Sequence, residues 1–253
     1  MGRTRRIVTP TPDDEFKIEL RSDVTVELVK HSAADADVLF AARVSTAGEQ
    51  SLDELTKDPE RSKGLINYLM RDRHGSPFEH NSMTFFVSAP IFVFREFMRH
   101  RVGWSYNEES GRYRELQPVF YVPDTSRKLV QQGRPGKYVF VEGTQEQHEF
   151  VGRSMEESYR QAYRTYQEML AQGVAREVAR AVLPVGLFSS MYATCNARSL
   201  MHFLGLRTQH ELAKVPSFPQ REIEMVGEKM EAEWARLMPL THAAFNANGR
   251  VAP

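Results

Sequence analysis

The stretch RHRVGWSYNEESGRYREL, from Arg99 to Leu116, contains four arginines, one histidine and three glutamates, and it follows the apolar run TFFVSAPIFVF. Cations beside apolar residues are costly unless they are paired, so the stretch predicts either ion pairs or an anionic ligand. Ser110 and Arg112 can bind a phosphate, and Gly111 allows a close backbone approach. The alternative is a salt-bridged helix end, where cations are favoured, but this composition favours a nucleotide site.

Further arginines lie in apolar contexts downstream. Arg180 belongs to VAREVARAVLP, and Arg198 and Arg207 belong to NARSLMHFLGLR, in which Arg198 and His202 share a helical face. If IFVFREFMRHR is helical, Arg95 and Arg99 also share a face, as do Glu96 and His100. Glutamates or a ligand with several phosphates are the expected partners.

The segment HGSPFEH, from His74 to His80, predicts a turn with polar site residues. Its histidine spacing matches no standard helical pair of metal ligands, so we expect no metal site. The one cysteine, Cys195, excludes an intramolecular disulfide and favours a reducing cytoplasm. We interpret it as a small buried side chain rather than a nucleophile.

Composition limits the function further. Lys+Arg and Asp+Glu both total 33 in 253 residues, so bulk charge does not favour a general nucleic-acid or membrane binder. No apolar run approaches the ~20 residues of a membrane span, and the start of the chain lacks the apolar region of a signal peptide. Neither a G-x-G-x-x-G fingerprint nor a P-loop occurs.

The patterns of apolar and polar residues along the chain predict an α+β fold that is richer in helix than in strand. Residues 1–15 form a predicted polar tail before one domain over residues 16–245. Alternation and helical spacing predict strands in FKIEL, VTVELV and SMTFFVSA; a helix capped by Ser32; helices over 59–73, IFVFREFMRHR, 144–172, AREVARAVL, NARSLMHFLGLR and 219–237; and short strands around a polar loop in 119–143.

The segment RHRVGWSYNEESGRY resembles the signature of the flavin-dependent thymidylate synthases, an RHR followed seven or eight residues later by Ser; here eight residues separate Arg101 from Ser110. HGSPFEH, REVARAVLP and NARSLMHFLGLR agree with the family in order and spacing. The resemblance covers about residues 16–240. It implies a central antiparallel sheet flanked by helices, a helix-rich C-terminal half and a homotetramer.

The resemblance also implies a reaction, in which deoxyuridylate (dUMP) is methylated at carbon 5 to thymidylate (dTMP). Methylenetetrahydrofolate supplies the one-carbon unit, and FAD reduced by NADPH supplies the hydride. No metal, nucleic-acid or membrane partner is implied, and no enzyme cysteine is required as a nucleophile.

The resemblance carries site residues over by position. Those implied for FAD are His74, Ser76, Glu79, Arg99, His100, Arg101, Glu108, Asn196, Arg198 and His202. Those implied for deoxyuridylate are Glu96, Arg99, Glu108, Ser110, Gly111, Arg112, Arg180 and Arg207. Arg207 is the implied catalytic residue, because its fixed charge at the uracil edge favours the ionised ring.

Some positions depart from the family pattern. Glu96 stands where relatives carry Gln, so we expect it to pair with an arginine or to bind through water. His202 stands where some relatives carry Asn. Two rivals stay open: a uridylate-methylating enzyme that uses Cys195 as nucleophile, and a nucleotide- or RNA-binding module without chemistry.

Overall fold

The structure, a computed structural model, describes residues 17–48, 58–134 and 137–253. The predicted tail over residues 1–15 lies outside the described residues. The chain forms two compact units. The first unit includes the described parts of residues 1–23, 89–92 and 109–189, and the second unit includes those of residues 24–88, 93–108 and 190–253.

A four-stranded sheet lies mainly in the second unit. Its order is β2 (Thr25–Ser32), β3 (Ser82–Pro90), β8 (Phe188–Cys195) and β4 (Trp104–Glu108). β2 pairs antiparallel with β3, and β4 pairs antiparallel with β8. Side chains alternate along β3, where Met83, Phe85 and Val87 are fully buried. The antiparallel sheet and its helices confirm the predicted α+β class.

Helices account for most of the second unit. They are α1 (Asp35–Ala47), α2 (Pro59–Arg71), a 3₁₀ turn (Ser76–Glu79), α3 (Ile91–Phe97), α6 (Ala197–Arg207), α7 (Arg221–Leu237) and α8 (Pro239–Ala247). The predicted cap of α6 is confirmed, since the Asn196 side chain accepts a hydrogen bond from the Ser199 amide. Phe97, Phe203 and Trp234 are fully buried in this unit.

The first unit is built around one long helix. Its elements are β1 (Glu19–Arg21), β5 (Val119–Tyr121), β6 (Val130–Arg134), β7 (Lys137–Val141), α4 (Gln145–Ala171), α5 (Arg176–Ala179) and a 3₁₀ turn (Arg180–Val182). β1 and β5 are parallel, and β6 and β7 form an antiparallel hairpin. Thr144 and Gln147 form a capping box at the start of α4, which confirms the predicted start of this helix.

Several boundary predictions are wrong. Ser32 is the last residue of β2 and does not cap α1, which begins after Ala34. The α3 helix ends at Phe97, and α5 ends at Ala179. The pairs Arg95/Arg99 and Glu96/His100 therefore do not share a helical face. The strands β4 and β8 and the helix α8 were not predicted from the sequence. Within the described residues, no helix is long and apolar enough to cross a membrane.

Candidate active site

The turn between α3 and β4 carries the RHR residues. Its first amides bond three residues back, His100 to the Phe97 carbonyl at 3.0 Å, which tightens the end of the helix. Gly103 has φ +70°, and a side chain there would collide with the Ser199 hydroxyl. Arg99 and Arg101 are exposed, and no partner for either side chain lies among the described residues. The turn thus presents two unneutralised cations.

Arg207, the last residue of α6, lies in a cluster with Glu96 and His100. Its Nη1 donates to Glu96 Oε2 at 2.6 Å, and its Nε donates to His100 Nε2 at 3.1 Å. A third, longer contact joins Nη2 to the Glu96 main-chain oxygen at 3.4 Å. The expectation that Glu96 pairs with an arginine is confirmed.

Burial controls the charge of this cluster. Burial, together with the neighbouring Arg207 and His202, lowers the pKa of His100 to about 4, so His100 is neutral at pH 7. Burial also raises the pKa of Glu96, against the opposing effect of Arg207. Because neutral His100 accepts the Arg207 Nε–H at Nε2, its own proton resides on Nδ1.

Arg198, in the first turn of α6, is oriented from several sides. Its Nη1 donates to Glu79 Oε1 at 2.5 Å, and its Nε donates to the Pro253 main-chain oxygen at 2.7 Å. Its guanidinium packs so closely on Gly75 that a Cβ there would lie 2.5 Å from Cζ. The structure therefore brings Glu79 and the turn at 74–79 to Arg198.

The remaining candidates in the second unit lie on these same elements. His202 follows Arg198 by one turn of α6, as predicted, and its pKa is lowered by burial and then by Arg198 and Arg73. His74 stacks on Tyr68 with ring centroids 5.6 Å apart. Ser76 begins the 3₁₀ turn and is exposed.

The first unit holds a separate group around Gly111. The Arg112 amide donates to Ser110 Oγ at 3.3 Å, and the Arg112 guanidinium pairs with Glu177 at 2.9 Å. Gly111 is buried, and a Cβ there would lie 2.9 Å from Leu116 and 3.1 Å from Arg180. The glycine therefore allows Arg180 to pack on the backbone of the Ser110–Arg112 turn. Glu108 ends β4 in the second unit.

Two residues outside the predicted site bear on its chemistry. Cys195 is 2% exposed, and burial raises the pKa of its thiol, so it is a neutral core side chain as predicted. Sequence reasoning missed Arg73, whose proximity lowers the pKa of His202. No motif in the sequence distinguishes Arg73, because its position depends on the end of α2.

The second unit fits a flavin dinucleotide by the chemistry of its donors. Exposed guanidinium groups on Arg99 and Arg101 suit phosphates, and Arg198 keeps donors beyond its two bonds. The Asn196 side-chain nitrogen and His202 add neutral donors. One carboxylate, Glu79, is the acidic partner of Arg198.

Comparisons with known proteins identify the family of this chain. The family model described as "Thymidylate synthase complementing protein" matches residues 27–240. A flavin-dependent thymidylate synthase of Streptomyces coelicolor is 90% identical over 97% of this chain and 100% of the relative. One of Tropheryma whipplei is 59% identical over 92% of this chain and 96% of the relative.

A solved structure also matches. The UMP/dUMP methylase PolB of Streptomyces cacaoi, bound with 5-Br dUMP, has a TM-score of 0.88 and 60% identity, covering 93% of this chain and 100% of that chain. The fold is therefore that of a nucleotide-modifying enzyme. The chain belongs to the flavin-dependent thymidylate synthase family, and it is a flavin-dependent enzyme of dTMP synthesis.

Proposed function

We propose that this chain catalyses the reductive methylation of deoxyuridylate to dTMP, with methylenetetrahydrofolate as one-carbon donor and NADPH as reductant of FAD. The observation that carries the proposal is the Arg207 guanidinium, held by Glu96 and by a neutral His100. A guanidinium stays charged throughout the pH range of enzymes. It supplies a fixed positive charge without taking part in proton transfer.

Arg207 acts on the uracil edge. Of its five N–H donors, one is bonded to His100, one to the Glu96 carboxylate and one, at longer range, to the Glu96 main-chain oxygen, so one donor on each of Nη1 and Nη2 stays available to a ligand carbonyl. A fixed cation beside that carbonyl stabilises the ionised ring and so increases the nucleophilicity of carbon 5. The Glu96 and His100 contacts hold the guanidinium in one orientation before substrate arrives.

The substrate phosphate binds to hydroxyl and guanidinium donors. Ser110, Arg112 and Arg180 supply them in the first unit, where Gly111 allows close packing. Arg99 supplies a further exposed guanidinium, and Glu108 and Glu96 accept hydrogen bonds from the nucleoside. Charge-assisted bonds of this kind are about twice as strong as neutral ones, which favours a phosphorylated substrate over a free nucleoside.

FAD, when bound, supplies the hydride that completes the methyl group. The residues that hold it are His74, Ser76, Glu79, Arg99, His100, Arg101, Glu108, Asn196, Arg198 and His202. The guanidinium groups neutralise its phosphates, and the Nδ1–H of neutral His100 donates to it. We further propose a single catalytic domain over residues 16–245, a cytoplasmic homotetramer, and no nucleic-acid or membrane partner.

The visible absorption spectrum tests the proposal. Purified protein is titrated with FAD, then with NADPH and dUMP without oxygen, and dTMP is measured after methylenetetrahydrofolate is added. We expect a flavin spectrum that bleaches with NADPH, faster when dUMP is present, and formation of dTMP. A protein that takes up no FAD would contradict the proposal, and salt-sensitive RNA binding in that protein would favour the rival binding module.

A broader substrate range is the second candidate. It rests on two matching structures of the PolB methylase, one bound with 5-Br UMP and one with 5-Br dUMP, at 58% and 60% identity to this chain. Parallel assays with UMP and dUMP at equal concentration decide it. Methylation of UMP at a comparable kcat/KM would establish a dual methylase, whereas turnover of dUMP alone would exclude one.

A further inference from the structure

Arg73 occupies a position that ordinarily favours glycine. It follows the end of α2 with φ +62°, and its amide bonds to the Met70 carbonyl while the His74 amide bonds back to the Leu69 carbonyl. This is the Schellman arrangement, whose left-handed residue is usually Gly because a Cβ is disfavoured there. An arginine at this position indicates that contacts of its side chain offset the backbone strain.

The Arg73 side chain contacts the main chain near residue 252. Its Nη2 donates to the Ala252 carbonyl at 3.0 Å, and Arg198 Nε donates to the Pro253 main-chain oxygen at 2.7 Å. Residues 248–253, here called the 248–253 segment, therefore orient two guanidinium groups. Ala252 and Pro253 are buried, so the acceptors are held in fixed positions.

The 248–253 segment is itself anchored firmly. Arg250, also left-handed at φ +56°, donates from Nη2 to Thr208 Oγ1 at 3.0 Å and pairs through both nitrogens with Glu231. Strained backbone of this kind persists where the surroundings over-determine it. Arg73 and Arg250 are the two non-glycine residues with positive φ in the part of the chain that the structure describes, and both serve this segment.

The electrostatics around Arg73 favour an anion. Arg73 and Arg198 donate to the oxygens of the consecutive residues Ala252 and Pro253, so the two guanidinium groups lie close together, and both lower the pKa of His202. The Ala252 carbonyl orients Arg73 without neutralising it. Glu79 is the acidic group that pairs with Arg198, and this pair is more than one-third exposed at both side chains, so its net stabilising effect is small.

We propose that Arg73 is a further phosphate-binding residue of the cofactor site, and that the 248–253 segment positions Arg73 and Arg198 for the diphosphate of FAD. The inference rests on the proposed function, because it assigns the ligand as FAD. It adds a residue outside the matched motifs and a segment beyond the family match, which ends at residue 240. The oxygens that orient the two arginines belong to the main chain, so the pattern of side chains in the sequence does not predict these contacts.

The first test is Arg73→Gly. Glycine relieves the left-handed strain, so the variant is expected to melt at or above the wild-type temperature, whereas it loses the guanidinium. Apoprotein is titrated with FAD by flavin fluorescence at low and at physiological ionic strength. We expect about tenfold weaker binding and a shallower salt dependence, because one screened charge contact is absent. Wild-type affinity and slope in this variant would overturn the inference.

A chain that ends at Arg250 tests the positioning. It keeps every arginine but lacks the Ala252 and Pro253 oxygens, so FAD binding is expected to weaken as it does in Arg73→Gly. Undiminished affinity would exclude the positioning effect. If this shortened chain melts early, Arg73→Gly still decides whether Arg73 binds the cofactor. Arg236→Gln, which removes an exposed arginine paired with Glu233, is the matched control and should bind FAD as the wild type does.

Inorganic pyrophosphate separates failure of this inference from failure of the proposed function. Its binding to wild-type and Arg73→Gly proteins is measured by calorimetry. If wild type binds pyrophosphate through Arg73 but takes up no FAD, the proposed function fails and the anion site stands without its assigned ligand. If FAD binds equally to both proteins, the proposed function stands and the role of Arg73 is refuted.

Discussion

Two clusters in the second unit contain the same three residue types and behave in opposite ways. In the first, Arg207 contacts Glu96 and His100. In the second, Arg250 and His242 both contact Glu231, at 2.6 Å and 2.9 Å. The pKa of Glu96 is raised by burial, whereas bonds from Arg250 and His242 overcome burial and lower the pKa of Glu231 to about 2.

The difference lies in how completely each arginine is bonded. Arg250 is 1% exposed, and its bonds reach Glu231, Asn246 and Thr208. Arg207 is 16% exposed and retains donors for a ligand. A buried arginine whose four Nη donors are all bonded stabilises the fold. An arginine that is oriented but incompletely bonded is suited to bind and to catalyse.

Arg250→Ala should have the largest effect, and on stability. It leaves the Glu231 carboxylate buried without its main partner, for which a loss of about 3–5 kcal/mol is typical. Thermal and urea unfolding of the purified variant measure it. Arg236→Ala, which breaks an exposed pair, should cost less than about 1 kcal/mol. Equal effects of the two substitutions would show that the buried Arg250 stabilises the fold no more than an exposed ion pair does.

Arg207→Ala should separate activity from stability. We expect kcat to fall by about 10²–10³, the range found when one electrostatic donor is removed from a transition state, with a much smaller change in melting temperature than in Arg250→Ala. Arg207→Lys should recover part of the rate, because it retains charge but not the planar fork. Full activity in Arg207→Ala would refute its catalytic role.

Protonation of Glu231 and protonation of Glu96 should change the free energy of unfolding in opposite directions. Glu231 stabilises the fold while it is ionised, so its contribution, roughly 3 kcal/mol, is lost as the pH falls from about 4.5 to about 2. Glu96, whose pKa is raised, favours the folded state when protonated, and that contribution is lost as the pH rises through its folded-state pKa. Urea unfolding across this pH range should show less acid sensitivity in Glu231→Gln and no such reduction in Glu96→Gln.

Cys195→Ala should have the smallest effect on activity. The thiol is buried and its pKa is raised, so it is no nucleophile at neutral pH, and kcat should stay within about twofold of wild type because no reacting group is removed. Steady-state assays of dTMP formation measure this. A loss comparable with that of Arg207→Ala would restore the cysteine-dependent rival.

Much of the second unit's chemistry could be predicted from local patterns. The Asn196 cap and the shared face of Arg198 and His202 depend on helical periodicity, which the sequence displays directly. The faces proposed for Arg95/Arg99 and Glu96/His100 were wrong because α3 ends at Phe97, where the chain turns toward β4. At the end of α3, Phe97 packs against Trp104 and against Phe203, which is 106 positions away in the sequence.

Periodicity and capping along the chain establish the α+β class and the long α4 helix, whereas the family and the residue types of the site follow from the resemblance of four sequence motifs. The tertiary structure decided which arginines are bonded and which are free. Contacts such as Arg207 with Glu96, Arg250 with Thr208 and Arg73 with Ala252 join residues 111, 42 and 179 positions apart. Their electrostatics depend on burial and on three-dimensional proximity, and neither is encoded in any local pattern.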